Sequence, residues 1–302
     1  MLSQPEPIIG ERRAPIQRAS HFLDQIDDLP SLPAVYLRVK ACLERDESSL
    51  DEIAHEISLD PAITARLLRI ANSPINGMSR KISTPMQAVA IVGLAQIQHL
   101  VLATAVTSTF AHIAPPLMDM QRFWHESLYR AVAARALARE ARLGQWERLF
   151  VSGLLSDIGH LILYLVVPLE SEIALSRAVS EPVSREDMER MMLGFDHTDI
   201  SGALARKWQL PEAICHCLEY QMRPLASDAH AADVCAVHVA ARLARWVMDD
   251  PDAPPPLDSI PPALWQILQV APENLEALRE RMDVEFKTLS EAMFADRSAT
   301  QH

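Results

Sequence analysis

The feature that most constrains this chain is an apolar run, residues 151–167, that carries one carboxylate in its middle. The run reads VSGLLSDIGHLILYLVV, in which Asp157 follows Ser156 and stands three residues before His160. Burying an ionised carboxylate is costly unless a cation, a hydrogen-bond donor or a metal ion pairs with it. The sequence therefore predicts that Asp157 belongs to a buried polar site. A structural hydrogen-bonded site and a metal site both remain open at this point.

The composition favours helices and argues against nucleic-acid binding. The chain of 302 residues is 49% hydrophobic, with 21 prolines and only 8 glycines, a balance typical of helices separated by proline-marked turns. Its 28 basic residues face 40 acidic ones, which gives a net charge of −12. A chain this acidic is a poor partner for a phosphate backbone, so we expect no nucleic-acid partner.

Neither the first 20 residues nor the most apolar stretch of the chain is predicted to be a membrane anchor. Residues 1–20 lack the apolar core of a signal peptide. The most membrane-like stretch, residues 86–106, is interrupted by glutamines and a histidine, which favours a buried helix. Cys215 and Cys217 flank His216, but residues i and i+2 of a helix point in different directions, so a metal cluster is not expected there. We expect a cytoplasmic protein with reduced thiols and no membrane contact.

Several helix starts are marked by capping residues. Ser49 with Glu52 forms the pattern of a capping box, Asp60 precedes a proline at the first helical position, and Thr84 does the same further along. Ser31 is predicted to cap an earlier helix.

Two blocks of the sequence resemble a known family. The first reads LDPAITARLLRIANS at residues 59–73, followed by RKIST at 80–84 and AIVGL at 90–94. The second contains GFDH at 194–197 and WQLP at 208–211. Together they resemble the HDOD family, the HD-related output domains of bacterial signal-transduction proteins, over residues 29 to 224. The resemblance implies degenerate relatives of HD-type phosphohydrolases.

The expected fold is all-α, with an N-terminal helical bundle packed on a degenerate HD-like bundle. We expect a flexible tail over residues 1–20 and an HDOD domain over 21–225, divided into an N-terminal part, 21–115, and an HD-like part, 116–225. A helical extension, 226–302, follows and contains a proline-rich linker at 249–262. The apolar stripe of its last helix predicts either docking on the domain or a contact with a partner, a second copy of the chain included.

The resemblance allows each metal-ligand position of an HD phosphohydrolase to be checked. The first histidine falls on Glu126, the histidine of the His-Asp pair on Ser156, and its aspartate on Asp157. A histidine of the third cluster matches His197. The remaining ligand positions fall on Gln221, Met222 and Ala241. The ligand set looks dismantled, so we expect no catalytic residue, no metal and no cofactor.

Each surviving polar residue has a structural interpretation. Asp157 is expected to be a buried hydrogen-bonding or helix-capping carboxylate, and His197 to cap a helix start. Glu126 is expected at the surface or paired with Arg130 at i+4, and His160 in the core or in the groove of the former site. The alternative is a residual metal held by Glu126, Asp157 and His197.

A locally positive segment also stands out. Residues 61–118 contain no acidic residue, although Arg66, Arg69, Arg80 and Lys81 lie there. These residues are candidates for contact with an acidic partner or an anionic ligand. The alternative is that much of the segment is buried helix, where charges of either sign are avoided.

Taken together, the resemblance implies a non-catalytic regulatory or output module that acts through protein contacts, modulated by a small ligand in the former HD groove. Its expected partners are other signalling proteins, such as a sensor kinase, a receiver or a component of a cyclic-dinucleotide pathway. The main alternative is a metal-dependent phosphohydrolase acting on a nucleotide or cyclic dinucleotide. A DNA-binding regulator is a third hypothesis, which the net charge disfavours.

Overall fold

The structure, a computed structural model, describes residues 14–27, 29–45, 49–72, 81–110, 113–227, 229–250 and 252–294. Regular structure in these ranges is helical, with no strand among them, which confirms the all-α prediction. The first part of the chain forms α1 (Pro15–Asp24), α2 (Ala34–Leu43), α3 (Leu50–Ser58), α4 (Pro61–Ala71), α5 (Pro85–Val92) and α6 (Leu94–Thr109). The second part forms α7 (Met120–Glu140), α8 (Trp146–Leu155), α9 (Ile158–Val166), α10 (Pro168–Ser180), α11 (Arg185–Leu193), α12 (His197–Lys207) and α13 (Glu212–Tyr220). The C-terminal extension forms α14 (Ala231–Asp249), α15 (Pro262–Leu268) and α16 (Leu275–Phe294).

Three of the four predicted helix caps are confirmed. At α3, Ser49 accepts a hydrogen bond from the Glu52 backbone N–H, and the Glu52 carboxylate accepts one from the Ser49 backbone. Asp60 Oδ1 accepts from the Ile63 backbone N–H at 3.0 Å at the start of α4. Thr84 caps α5 in the same way. Each bond satisfies a backbone donor that a helix start otherwise leaves unpaired.

Two predictions about the beginning of the chain are wrong. Ser31 does not cap α2, because that helix begins at Ala34 with Pro33 before it and no side-chain capping bond. The tail predicted to reach residue 20 is already helical from Pro15, where α1 begins. The buried face of α1 packs against α12, and the Phe22 and Phe195 rings lie 5.2 Å apart. Apolar packing onto the second half of the protein therefore orders this segment, while residues 1–13 lie outside the described ranges.

The long helix α7 lies at the centre of the second half, packed against α8, α14 and α16. Its interior face is built from small side chains that are completely buried, namely Ala131, Ala133, Ala134 and Ala138. Small residues let neighbouring backbones approach closely. At the crossing with α8, a Cβ added at Gly153 would lie 2.6 Å from the Arg130 carbonyl oxygen. This close crossing brings the end of α8 against the middle of α7.

The apolar run that opened the sequence analysis becomes α8 and α9, interrupted at Ser156 and Asp157. The segment Trp146–Val166 is long and apolar enough to cross a membrane, but 83% of its most apolar window is buried inside the protein. It is therefore packed as a core element. The other apolar stretch, residues 86–106, is divided at Gly93 into α5 and α6.

The C-terminal helix docks on the rest of the chain, which confirms one of the two alternatives for its apolar stripe. Leu275, Leu278, Met282 and Leu289 are each at most 2% exposed, and α16 packs against α7 and α4. This stripe is used within the chain and is not available to a second copy.

Polar contacts fix the position of α16. The buried guanidinium of Arg135 on α7 lies 3.0 Å from Glu147 Oε1 and pairs with Glu285 on α16. The Tyr129 hydroxyl donates to Asp283 Oδ1 at 2.6 Å. Buried ion pairs of this kind require one geometry, so they define the register of α16 on α7.

Candidate functional site

Asp157 lies in the break between α8 and α9, with its side chain 16% exposed. It stands at the N-terminal end of α9 but makes no capping bond to the backbone of that helix. Its Oδ1 is instead hydrogen-bonded to His160 Nδ1 at 2.7 Å and lies 3.4 Å from Arg130 Nη1. The predicted hydrogen-bonding role is therefore observed, and the helix-capping alternative for Asp157 is wrong.

Two buried histidines stack face to face beside Asp157. The His160 and His197 rings lie 3.7 Å apart with 16° between their planes. Glu189, on α11, joins them from the opposite side: its Oε1 lies 3.1 Å from His160 Nε2, and its Oε2 lies 3.3 Å from His197 Nδ1. The same Oε2 accepts the His197 backbone N–H at 2.9 Å. The pair of imidazoles is thus held between two carboxylates, Asp157 and Glu189.

The guanidinium of Arg130 is the cation of this site. Its side chain is only 5% exposed, and it lies 2.5 Å from Glu126 Oε1 and 3.4 Å from Asp157 Oδ1. It also donates to Ser156 Oγ at 3.4 Å. Glu126, Ser156 and Asp157 are three of the residues that the resemblance places at metal-ligand positions of HD phosphohydrolases. Arg130 therefore contacts, as a covalently tethered cation, the side chains that would otherwise face a metal ion.

A second arginine closes the outer side of the cluster. Arg185 begins α11, and its side chain is 26% exposed. Its Nη2 lies 3.3 Å from His160 Nδ1, and its Nη1 donates to the Tyr164 hydroxyl at 3.2 Å. Its Nε is 4.0 Å from Glu189 Oε1. The cluster therefore contains two fixed positive charges and three carboxylates.

The charges keep Asp157 and Glu189 ionised in spite of their burial. Burial alone would raise the pKa of Asp157, but Arg130 and then His160 outweigh it and hold that pKa well below its usual range. In the same way, His160 and His197 hold the pKa of Glu189 far below its usual value against the effect of burial. Burial and Arg185 would lower the pKa of His160, but Asp157 and Glu189 together raise it above the ordinary value. The cluster is therefore an ion-paired network.

Ser156 and a further residue that the resemblance places at a ligand position, Gln221, belong to the hydrogen-bonded core. Gln221 is 1% exposed, and its Nε2 donates to the Ser156 carbonyl at 2.5 Å. The backbone carbonyl of Gln221 is hydrogen-bonded to His238 Nδ1 at 2.5 Å. Burial lowers the pKa of His238, which favours the neutral ring. Ser156 Oγ donates to the Gly153 carbonyl at 2.8 Å. These residues tie α8, α13 and α14 together and offer no ligand atom to the cluster.

The structure corrects two assignments within the predicted site. The sequence places Glu126 in a residual metal trio with Asp157 and His197, but Glu126 is committed to Arg130, as the i+4 alternative predicts. The third member of the compact group is His160, which the sequence marks only as a core or groove residue. The ligand atoms of Asp157, His160 and His197 all lie within 4.8 Å of one another.

These three residues do not fit a resident metal ion in this arrangement. Both ring nitrogens of His160 are hydrogen-bonded to carboxylates, so neither offers a free lone pair to a metal in this arrangement. Asp157 Oδ1, the oxygen shared by both histidines, is already paired with Arg130. A metal would have to displace Arg130 and remove a proton from His160.

Close packing between α9 and α12 positions the histidine stack. A Cβ added at Gly159 would lie 1.9 Å from the His197 carbonyl oxygen, a distance no real side chain tolerates. The Gly159 backbone N–H donates to Ser201 Oγ at 2.9 Å, and that hydroxyl donates to the His197 carbonyl at 2.9 Å. Glycine at this position therefore sets the distance between the helices that carry His160 and His197.

Two acidic residues, Asp196 and Asp199, lie at the start of α12, one before His197 and one after it. Asp196 accepts from the Thr198 backbone N–H at 2.8 Å, from the Thr198 hydroxyl at 2.7 Å and from the Asp199 backbone N–H at 3.0 Å, and it pairs with Arg190. Asp199 accepts one backbone bond, and the guanidinium of Arg223 is 3.6 Å away. Burial, followed by the charge of Asp196, raises the pKa of Asp199 to about 6. Asp196, which accepts more hydrogen bonds, stays ionised.

Replacing Asp199 with asparagine is expected to stabilise the protein more at pH 7.5 than at pH 5. The folded protein holds the Asp199 proton up to about pH 6, whereas an unfolded chain releases it near pH 4. The stability from this proton is therefore fully present below about pH 4 and is lost as the pH rises through about 6. Asparagine never ionises, so the difference in unfolding free energy between variant and wild type should grow by about 1–3 kcal/mol from pH 5 to pH 7.5.

Thermal unfolding at the two pH values measures this difference. The exposed Asp252→Asn serves as the matched control, and its effect should be the same at both. An Asp199→Asn effect that is equally independent of pH would refute the assignment of the raised pKa.

The positive segment of the N-terminal part is only partly available to a partner. Arg66 on α4 is half-buried and donates from Nη1 to the Ser108 hydroxyl of α6 at 2.7 Å, so it holds two helices together. Arg69 is half-buried on the same helix, and Lys81 is exposed. Arg80 lies outside the described residues.

All four cysteines are buried and free of disulfides.

Sequence reasoning missed Arg185 and Glu189 and gave Arg130 too small a role. One signal was present, since Arg185 and Glu189 are spaced i,i+4, as are Glu126 and Arg130. Pairs with this spacing are common on exposed helix faces, so they do not indicate a buried site without the tertiary arrangement. Only the tertiary arrangement brings Glu189 on α11 to His160 on α9 and to His197 on α12.

Comparisons with known proteins give the family and the fold. The sequence profile of the HDOD domain matches residues 29–224. An uncharacterized protein of Treponema pallidum (strain Nichols) is 24% identical over 261 residues, which cover 85% of this chain and 49% of the relative, so the chain spans about half the length of that relative.

Two solved structures are similar along almost their whole length. An HDOD domain protein of unknown function from Geobacter sulfurreducens is 23% identical, with a TM-score of 0.73 over 92% of this chain and 97% of the other. A Shewanella amazonensis SB2B protein provisionally assigned as a phosphohydrolase is also 23% identical, with a TM-score of 0.73 over 91% of this chain and 98% of the other. Likeness at this identity shows the fold, which both proteins share with this chain. Because the HDOD profile matches well over half of the chain and the fold is all-helical, the chain belongs to the HDOD-domain family.

Proposed function

We propose that this chain is a non-catalytic regulatory module of bacterial signal transduction that acts in the cytoplasm through contacts with other signalling proteins. One observation carries the proposal: the buried guanidinium of Arg130 pairs with Glu126 and Asp157, where an HD phosphohydrolase would need its metal. The family relationship supplies the setting, since HDOD domains resemble output modules rather than complete enzymes.

An arginine in this place cannot replace the metal in catalysis. A metal ion of a phosphohydrolase binds phosphate oxygens and lowers the pKa of a bound water until hydroxide forms at neutral pH. A guanidinium has only N–H donors and no coordination position for water. Arg130 neutralises the carboxylates of the site and leaves no activated nucleophile.

The other former ligand positions support the same conclusion. The Ser156 hydroxyl donates to the Gly153 carbonyl of its own helix, and Gln221 donates to the Ser156 carbonyl. Met222 and Ala241 bring no ligand chemistry to a divalent ion. What remains is a rigid, charged cluster at the junction of α7, α9, α11 and α12. Such a cluster suits a module whose surface binds a sensor kinase, a receiver or a component of a cyclic-dinucleotide pathway. Arg185, partly exposed at its edge, is the residue through which a small anionic ligand would modulate it.

One observation favours the second candidate, a metal-dependent phosphohydrolase acting on a nucleotide or cyclic dinucleotide. Asp157, His160 and His197 hold their ligand atoms within 4.8 Å of one another. This candidate requires that Arg130 swings out of the site and that His160 loses a proton, so its activity would rise with pH and with metal concentration.

The experiment that separates the two candidates is a phosphodiesterase assay with added manganese, run on the wild type and on Asp157→Asn. The proposal expects no turnover of cyclic dinucleotides or nucleotide esters above the level of the variant. In parallel, chemical crosslinking in cells followed by mass spectrometry should recover signalling proteins on the wild type. Metal-dependent turnover that disappears in Asp157→Asn would overturn the proposal in favour of the enzyme.

A further inference from the structure

The outer face of α10 carries apolar side chains that no other part of the described structure covers. Leu169 is 62% exposed and Ile173 48%, one turn apart on the same face, and Val179, 90% exposed, flanks that face. The opposite face of the helix is buried through Ser171 and Ala174. Large apolar side chains that share one exposed helix face, rather than being scattered singly, mark an interaction surface.

The spacing on this face is that of a short coiled-coil seam. Leu169, Ile173, Ser176 and Ser180 follow one another at intervals of four, three and four residues, as positions d, a, d and a of a heptad repeat do. All four are exposed. The seam is two heptads long and half apolar, and the small serines allow a close approach of two backbones.

The residues that flank the seam select the partner. Glu172 and Arg177 occupy the g position of one heptad and the e position of the next, on opposite sides of the seam. In a parallel pair of helices, g of one strand faces e of the other, five residues further along. Two copies of α10 would therefore place Glu172 of each chain beside Arg177 of the other, twice across the two-fold axis.

Both flanking residues are able to make this contact. Glu172 is exposed and makes no hydrogen bond or ion pair within the described ranges. The Arg177 side chain is 43% exposed. Its present partner, Glu181, lies four residues further along the chain and has a side chain that is 39% exposed. Exposed pairs of this type contribute little, so Arg177 exchanges partners at low cost.

We propose that α10 is the dimer contact of this protein, a parallel two-fold pairing of its outer face with that of a second copy. The dimer is weak, because a helix of 13 residues is about 20 Å long and buries less area than a stable interface needs. The inference is independent of the proposed function. Pairing through α10 would reach the candidate site through α11, because α10 packs directly on α11, the helix that carries Arg185 and Glu189.

Sedimentation velocity over a wide concentration range tests the proposal. The weight-average sedimentation coefficient of the full chain should rise between about 10 μM and about 1 mM, the range of small, transient interfaces. Ile173→Glu should keep the chain monomeric throughout. Val284→Glu is the matched control, since Val284 is 66% exposed on α16, away from α10, and it should associate as the wild type does.

A charge exchange tests the parallel register. Glu172→Arg alone and Arg177→Glu alone should each weaken association at least tenfold by placing like charges together, and the double variant should restore it. All of these substitutions are at the surface, so far-ultraviolet circular dichroism and the melting temperature should stay near the wild-type values. A wild type that is monomeric up to 1 mM, or association that Ile173→Glu leaves unchanged, would overturn the proposal. A double variant as weak as the single ones would overturn the parallel pairing.

Discussion

Replacing Arg130 with alanine is expected to lower the free energy of unfolding by about 3–5 kcal/mol, because it leaves buried carboxylates without their cation. Arg130 is 5% exposed and pairs with Glu126 and Asp157 at once. Without the guanidinium, Asp157 keeps only its hydrogen-bonded histidine, and Glu126 loses its partner. Chemical denaturation measures the loss directly.

Arg122→Ala is the matched control for this substitution. Arg122 lies on the same helix and also pairs with an aspartate, Asp249, but the two side chains are 57% and 50% exposed. Exposed ion pairs contribute about 0–1 kcal/mol. If Arg130→Ala is no more destabilising than Arg122→Ala, the buried cation does not hold the site together and the account of the cluster fails.

Replacing Gly159 with alanine is expected to lower the free energy of unfolding by about 3 kcal/mol or more. The added methyl group would meet backbone atoms, which cannot move aside as a flexible side chain can. The added Cβ would lie 1.9 Å from the His197 carbonyl oxygen, so α9 and α12 would have to separate. The stack of His160 on His197 would then open, and the histidine ring proton resonances should move out of their ring-current positions.

Gly144→Ala provides the comparison, because a Cβ at Gly144 meets no atom within 4 Å. Its effect should be smaller than about 1 kcal/mol in either direction. A Gly159→Ala variant that melts together with the Gly144→Ala variant and keeps its histidine resonances would show that the close approach is not a constraint.

The elements that were predictable from the sequence are those whose signals are local. The capping box of Ser49 and Glu52 and the cap at Thr84 need only neighbouring residues, and both are present. The stripe on α16 follows from helical periodicity, whereas its docking on the chain, one of two predicted alternatives, is seen only in the structure. Asp157 was identifiable because a carboxylate in an apolar run must find a partner.

What the sequence does not reveal depends on distant parts of the chain. Glu189 reaches the histidines from α11, and nothing in its neighbourhood distinguishes it from a surface glutamate. Helix α1 resembles a tail in sequence because its apolar face is short and becomes buried only against α12. The prediction of a metal trio that includes Glu126 is wrong for the same reason. Only the tertiary structure shows that Arg130 points inward and forms an ion pair with the Glu126 carboxylate.

The central claim, that Arg130 has replaced the metal of an HD site, is tested most directly by the metal content of the wild-type protein. The protein is purified without chelator, equilibrated with manganese, iron and zinc, freed of unbound metal and analysed by elemental mass spectrometry. The account predicts far less than one ion per chain, the same in the wild type and in Asp157→Asn. About one bound ion per chain, lost in Asp157→Asn, would contradict it and show that Asp157, His160 and His197 form a working metal site.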